Sequence, residues 1–335
     1  MGRGRSRTSG LLPSALRRLG RGLRRLPFTR SSDAPDRLEA MTVTETENDR
    51  IARVEHVRTR LRDRLAPLRG AEDGSVLFGL DVDGTLVDHD GEMSPGVHDA
   101  LVAAASAQRV VIATGRSLGA TLPIARMAGV ERGYAVCSNG AVTIELDPSA
   151  DEGWRVLETR AFQPEEALRT LREVAPNAHY AVETVDGAFY ATPGFQDASF
   201  GVEAIPTDLD ELLVLEAVRV VVHVPDLTPQ EFAQLIDESG VHGVQYAIGW
   251  TAWLDMAAPG VSKATALESV RARLDIETSR TVTIGDGFND VEMLRWAGAG
   301  IAMGQAVDGV KDSADLVTLD VWNDGAAEVL RTVVD

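Results

Sequence analysis

The sequence predicts an α/β protein: a doubly wound parallel sheet of Rossmann-like architecture, interrupted by an inserted α+β module. Three observations lead there. Short apolar runs recur at Val76–Leu80, Arg109–Ala113, Tyr134–Cys137, Thr281–Ile284 and Ala299–Ala302, the pattern of strands buried on both faces. Most run into a polar or glycine-containing turn and then a segment of helical period, the rhythm of parallel strands joined by crossover helices. Between 158 and 255 that rhythm breaks, and neighbouring strand-like segments follow one another with few helices between them.

Each element has its own signal. A charged amphipathic helix is expected over 47–69, with Ile51, Val54, Val57, Leu61 and Leu65 on one face. After the strand at Val76–Leu80 comes Asp81-Val82-Asp83-Gly84-Thr85, and Ser94-Pro95 then opens a helix reaching about Gln108, serine as cap and proline in the first turn. The strand at Arg109–Ala113 ends in Thr114-Gly115-Arg116, a helix runs to about Ala128, and the strand at Tyr134–Cys137 ends in Ser138-Asn139-Gly140. In the insertion, helices are expected at Pro164–Val174 and Pro229–Glu238, with strands near His179–Val185, Ala188–Ala191, Val218–Val224, Val244–Ile248 and Ala252–Asp255. The α/β rhythm resumes with helices at Lys263–Leu274 and Asp290–Ala297 around the strand at Thr281–Ile284. The expected division is therefore an extension over 1–45, a helical lead-in over 46–70, a core over 71–157 and 256–335, and an inserted module over 158–255.

Composition narrows the partners. The chain has 335 residues and a net charge of −18, but residues 1–30 hold nine arginines and no acid. Removing those nine from the 33 basic residues leaves 24 against 51 acids, or −27 for the rest. A body so acidic repels a polynucleotide, so no nucleic-acid partner is expected. One cysteine, Cys137, excludes an internal disulfide and a thiolate metal site, which is compatible with a cytoplasmic location. No apolar run of about 18 residues occurs, so no transmembrane segment is expected. In the extension Leu12, Leu16, Leu19, Leu23 and Leu26 share a helical face opposite arginines, and Met1-Gly2 precedes Ser6. That fits a helix on a membrane surface or an acylation signal. The preferred reading is a disordered tail, or a start at Met41.

In open parallel sheets, ligands collect beyond the carboxyl ends of the strands. The residues there are Asp81, Asp83, Thr114, Ser138, Asn139, Asp286, Asn289 and Asp290. Four carboxylates would repel one another unless a cation joined them, and hard oxygen ligands favour Mg²⁺. Asp81 leaves its strand first and can present its carboxylate to phosphorus. Asp83, on the turn, can protonate a leaving oxygen and then deprotonate water. Thr114 offers a hydroxyl, amides such as that of Gly115 offer N–H donors, and Lys263 at the opening of its helix offers a point charge. Arg116 and Asn139 are candidate substrate contacts, the planar guanidinium suiting phosphate. His89 and His98 lie nearby with nothing to suggest a metal role.

That order of residues resembles the haloacid-dehalogenase-like superfamily, specifically the Cof-type phosphatases with an α+β cap of type IIB. The resemblance runs from about Val76 to the C-terminus. Asp81-Val82-Asp83-Gly84-Thr85-Leu86 is similar to the first motif, which implies Asp81 as nucleophile and Asp83 as acid/base. Val111-Ile112-Ala113-Thr114-Gly115-Arg116 is similar to the second, implying phosphate binding by Thr114. Pro259-Gly260-Val261-Ser262-Lys263 is similar to the third, implying a phosphate-binding Lys263. Gly285-Asp286-Gly287-Phe288-Asn289-Asp290 is similar to the fourth, implying Asp286 as metal ligand, Asn289 as a group positioning phosphate or Lys263, and Asp290 as a ligand acting mainly through water. The Asp81 carboxylate and the Asp83 carbonyl would complete the protein's share of a magnesium shell. Two positions depart from the family pattern: Ala264 stands where glycine is common, and Gln305 where asparagine is usual.

The resemblance implies a magnesium-dependent hydrolase of a small phosphate monoester, such as a sugar phosphate, acting through an aspartyl-phosphate. Transfer to another hydroxyl, as in a mutase, shares that step and stays open. A phospho-accepting signalling domain also uses strand-end aspartates, a threonine and a lysine, but Asp83 and an insertion of about a hundred residues argue against it. The insertion would close over the site and exclude water. In it Glu183, Asp186, Tyr190 and Trp250 are candidates without a supporting motif, each read first as an ordinary strand or turn residue.

Overall fold

The computed structural model describes residues 47–195, 203–239, 241, 245–248 and 253–334. The leucine face over 12–26 and Trp250 lie outside them. The first helix, α1 (Glu47–Leu65), buries Leu61 and Leu65. A strand, β1 (Leu77–Leu80), follows, and all four of its residues are buried. Helix α2 (Pro95–Ala107) begins on Ser94, whose hydroxyl accepts from the Val97 N–H, with Pro95 in its first turn, so an otherwise orphaned amide is satisfied. It leads to β2 (Arg109–Ala113), and α3 (Leu118–Met127) leads on to β3 (Gly133–Cys137).

The chain then turns back instead of crossing over. Strands β4 (Val142–Leu146) and β5 (Trp154–Thr159) extend the sheet as antiparallel neighbours of β3. Neither strand is among those the sequence predicts. Only 138–141 separate β3 from β4, too few residues for the crossover that a parallel neighbour demands. The alternation Val142-Thr143-Ile144-Glu145-Leu146 was the available signal.

Between β5 and the return to the first sheet the chain builds a second one. It contains β6 (His179–Thr184), β7 (Phe189–Ala191), β8 (Ile205–Pro206), β9 (Ala217–His223), β10 (Gln245–Ile248) and β11 (Trp253–Ala257), in the order β10-β11-β9-β6-β7-β8. All pairings are antiparallel except the short β7–β8 pair. One face packs Tyr180, Val182, Val220, Val222 and Leu254 against Leu168 and Leu171 of α4 (Glu165–Val174) and Phe232 of α6 (Pro229–Ser239); α5 (Leu209–Leu212) adds Leu212. Strand alternation puts Ala181, Glu183, Arg219, Val221 and Asp255 on the other face. Two of these, Glu183 and Arg219, are charged yet buried.

The first sheet is then completed by α7 (Lys263–Arg273), β12 (Thr281–Gly285), α8 (Val291–Trp296), β13 (Ala299–Ala302), α9 (Asp308–Lys311), β14 (Leu316–Val317) and α10 (Gly325–Val334). Its order is β14-β13-β12-β1-β2-β3-β4-β5. From β14 to β3 every pairing is parallel. The chain leaves β1 on the side of β2 and returns on the side of β12, so the strand order reverses beside β1. That reversal opens a crevice at the carboxyl ends of β1 and β12. Helix α1 lies against α10, where Glu328 accepts two hydrogen bonds of 2.8 Å from Arg58. No helix among the described residues is long and apolar enough to cross a membrane.

Phe78 is fully buried at the centre of the largest apolar cluster. Phe78→Ala is expected to cost about 3–5 kcal/mol through lost burial and the cavity left behind. Urea denaturation should register it as a lowered midpoint with little change in slope.

Candidate active site

The carboxyl ends of β1, β2, β3 and β12 converge, and each delivers polar residues to one place. Asp81 is the first residue beyond β1, and its N–H donates to Ile284 of β12 at 3.0 Å. The next residues fold into a tight turn: the Leu86 and Val87 amides return to the Val82 carbonyl at 2.8 and 3.0 Å, and the Gly84 N–H donates to Val87. Gly84 has φ +76°, and a Cβ there would fall on Asp286 Oδ2. Glycine is therefore required both by the left-handed backbone and by the approach of the β12 loop.

Asp81 and Lys263 form the centre of the site. Lys263, the first residue of α7, is fully buried, and its Nζ donates to Asp81 Oδ1 at 2.5 Å and to Asp290 Oδ1 at 2.7 Å. The Thr85 hydroxyl donates to Asp81 Oδ2 at 3.4 Å. Asp290 is fully buried as well, and its Oδ2 accepts from the Asp286 and Gly287 amides, each at 2.9 Å. The start of α7 is fixed by a capping box between Ser262 and Thr265, which sets the direction of the Lys263 side chain. Ala264 is buried in the apolar layer beneath this helix.

Asp81, Asp286 and Asp290 bring carboxylate oxygens within 4.8 Å of one another. Three acidic groups outweigh the charge of Lys263, so the cluster is a place where a divalent cation fits, with oxygen donors only. The electrostatics agree. Burial and the charge of Asp290 push the Asp81 carboxyl well above its usual range, with Lys263 opposing. Burial and Asp290 also push Asp286 up to about 7, against a hydrogen bond from Gln305. Burial alone would lower the Lys263 amine, but Asp290 and Asp81 hold it above its ordinary value.

Asp83 is placed differently from the other aspartates. Its carboxylate is over half exposed, lies outside the metal cluster, and is held by Arg116 through Nε at 2.9 Å and Nη2 at 2.5 Å. Arg116, read from the sequence as a substrate contact, is thus engaged with the candidate acid/base in a two-pronged ion pair. Thr114 is fully buried, and its hydroxyl accepts from the Arg116 N–H at 3.1 Å. Gly115 lies under the side chain of Asn139, since a Cβ there would meet Asn139 Oδ1 at 3.0 Å. Asn139 Oδ1 also accepts from Asn289 Nδ2 at 2.9 Å. Ser138 and Asn139 both have positive φ, 49° and 55°, a conformation that costs a serine energy. Gly140 lets this loop run against the Ser262 carbonyl.

Four contributors had no motif to mark them. Gln305 donates from Nε2 to the Gly84 carbonyl at 2.6 Å and to Asp286 Oδ2 at 3.2 Å, while its Oε1 accepts from Val321. The position that departs from the family pattern therefore braces Asp286 and the turn after β1. From the second sheet, Arg219 and Asp255, joined at 2.6 Å, line a cavity of about 80 Å³ with Asn139, Lys263, Phe288 and Asn289. Glu183, also from that sheet, accepts a hydrogen bond from Ser138. These contacts join residues far apart in sequence, so no local pattern records them. Asp186 is occupied by its own turn, accepting from Thr184.

A carboxyl whose folded-state pKa exceeds its unfolded value holds its proton more tightly when folded, so it contributes less stability as pH rises. For Asp286 that loss runs from the ordinary carboxylate range through about 7. Without divalent cations the melting temperature should fall by a few degrees as pH is raised from about 5 to about 8, and magnesium chloride should remove most of the fall. A flat or rising profile in metal-free buffer would contradict this.

A family model for haloacid dehalogenase-like hydrolases matches residues 78–330. Among curated proteins, the phosphoglycolate phosphatase of Archaeoglobus fulgidus is 28% identical over 255 residues, covering 76% of this chain and 95% of that protein. Pyridoxal phosphate phosphatase YbhA of Escherichia coli is 27% identical over 270 residues, covering 76% of this chain and 97% of its own. Among solved structures, the HAD subclass IIB sugar phosphatase BT4131 superposes with a TM-score of 0.64 at 22% identity, over 76% of this chain and 98% of that one. TM0651 of Thermotoga maritima gives 0.61 at 24% identity, over 76% and 96%.

Proposed function

The chain belongs to the haloacid dehalogenase-like hydrolases and is a phosphoric monoester hydrolase, and from that premise we propose that it is a magnesium-dependent phosphatase of a small phosphorylated metabolite, with Asp81 as nucleophile. The observation that carries this reading is the buried bridge from Lys263 to Asp81 and Asp290, set beside Asp286 at the switch of an open parallel sheet.

In the proposed reaction an Asp81 carboxylate oxygen attacks phosphorus. The bond from phosphorus to the leaving oxygen breaks, and Asp83 gives that oxygen its proton. Asp83, now a carboxylate, takes a proton from water. The water oxygen attacks phosphorus, the bond to Asp81 breaks, and inorganic phosphate leaves with both aspartates restored. Lys263, the Thr114 hydroxyl and the Gly115 amide would neutralise and hold the phosphoryl oxygens, with Asn289 and Asn139 fixing the rim of the cup. Arg116 would hold Asp83 as the carboxylate that activates water in the second half-reaction, and would release one of its oxygens to carry the proton given in the first. Asp81, Asp286, the Asp83 carbonyl and, directly or through water, Asp290 would hold Mg²⁺, whose chemistry there is to offset the charge shared by carboxylate and phosphate. The inserted module would act as the cap, its bounds lying just after Thr159 of β5 and just after Ala257 of β11 rather than at 158 and 255, and the names of the relatives point to sugar phosphates and other small phosphorylated metabolites as the substrate class.

Hydrolysis of a generic aryl phosphate tests the reading. Turnover should require added magnesium. Asp81→Asn should lose several orders of magnitude in kcat, and Asp83→Asn about 10²–10⁴-fold, the usual worth of a positioned proton donor. Unchanged turnover in Asp81→Asn would remove it as nucleophile.

A further inference from the structure

A carboxylate from the second sheet reaches into the first. Glu183 sits near the end of β6, across from Arg219 on β9, and it is only 2% exposed. Its Oε2 accepts from the Ser138 hydroxyl at 2.8 Å, and its carboxylate also accepts from the Leu118 N–H in the first turn of α3. One side chain thus spans two loops of the core, those that follow β2 and β3.

The Ser138 loop is the one with two consecutive left-handed residues. It is tied to the core by its backbone, with the Ser138 N–H donating to the Arg116 carbonyl at 2.8 Å and the Asn139 N–H to the Thr114 carbonyl at 3.0 Å. Its next side chain, Asn139, meets Asn289 and lies over Gly115. From the second sheet, then, Glu183 leads through Ser138 to Asn139 and to two candidate phosphate-binding residues. We infer that Glu183 is a positioning residue: it seats the inserted module on the core and thereby holds the Ser138–Asn139 loop in the shape that completes the phosphate cup.

The physical basis is polar satisfaction. With the module seated, the Ser138 hydroxyl and the Leu118 amide have an acceptor, and Glu183 has donors in a buried place. With it lifted, water replaces all of them, and the strained loop loses a tether. The charged groups facing Glu183 are Arg219 beside it and Asp255 beyond, which oppose each other in their effect on the carboxylate, while burial raises its pKa overall. Glutamine keeps one acceptor oxygen for the Leu118 amide and offers its NH2 to the Ser138 hydroxyl, which can turn to accept, so it separates a hydrogen-bonding role from one that needs the charge.

Hydrogen exchange on the full chain, with steady-state kinetics on an aryl phosphate, tests this in Glu183→Ala and Glu183→Gln. In Glu183→Ala, exchange at 138–140 and in the linkers at 160–162 and 258–260 should rise about tenfold, the effect of stranding buried donors. Exchange in β1 and β12 should be unchanged. KM should rise about tenfold with kcat within about threefold, because substrate must first restore the seated state. Glu183→Gln should restore both exchange and KM. Wild-type exchange at 138–140 in Glu183→Ala, a uniform rise through the core strands, or a glutamine variant as impaired as the alanine one would each overturn the inference. The kinetic arm rests on the phosphatase reading and the exchange arm does not, so the two can fail separately.

Discussion

The bridge from Lys263 to Asp81 and Asp290 is the constraint on which the site depends. An ammonium and two carboxylates buried together cost several kcal/mol each in lost hydration, and they persist only if each finds close partners. Their partners come from three separate segments. Asp81 stands at the end of β1, its N–H donating a hydrogen bond to the Ile284 carbonyl of β12; Asp290 is pinned by the amides of its own loop; Lys263 is aimed by the capped start of α7. Removing Lys263 would leave two buried carboxylates without their cation, and removing either aspartate would leave the ammonium with one partner instead of two, so the parallel pairing of β1 with β12 and the seating of α7 are bound to the chemistry.

The same cluster is strained by design of its charges. The Asp81 and Asp286 carboxyls are pushed upward by burial and by neighbouring carboxylates, a state that a proton or a cation relieves. Thr85, Gln305 and the loop amides spread the charge without neutralising it. Such an arrangement favours a site that takes up cation and phosphate together, since each offsets the charge that repels the other.

Much of this was legible in the sequence because it is local. A strand buried on both faces writes an apolar run, and the polar residue that ends it is a site candidate. Asp81, Thr114, Ser138 and Asp286 were all found that way, and the structure brings them to one crevice. Lys263 stands out by its place at a helix start and by the Pro259-Gly260-Val261-Ser262 segment that precedes it. What escaped depends on partners far along the chain. Whether Arg116 would reach outward or fold back onto Asp83 depends on the spacing of two loops 33 residues apart. Gln305 and Glu183 are both marked by the sequence, one as a departure from the family pattern and one as a candidate without a motif, but their roles are not, because their worth lies in the backbone and side-chain groups opposite them. The hairpin of β4 and β5 was missed for another reason: its alternating pattern follows directly on a buried strand and sits where the reading expected the core to end.

The inserted sheet contributes two things to the crevice: a wall, through Arg219 and Asp255, and a tether, through Glu183. Both depend on its open face being turned toward the core, with its other face occupied by α4 and α6. What becomes of Asp81 during turnover decides its role. Borohydride reduces an aspartyl-phosphate to homoserine, and Asp83→Asn should let that intermediate accumulate. Mass spectrometry of the Asp83→Asn protein, quenched with borohydride during reaction with an aryl phosphate and magnesium, should find homoserine at position 81 and at no other carboxylate. Reduction at a different residue, or leaving-group release with position 81 intact throughout, would contradict it.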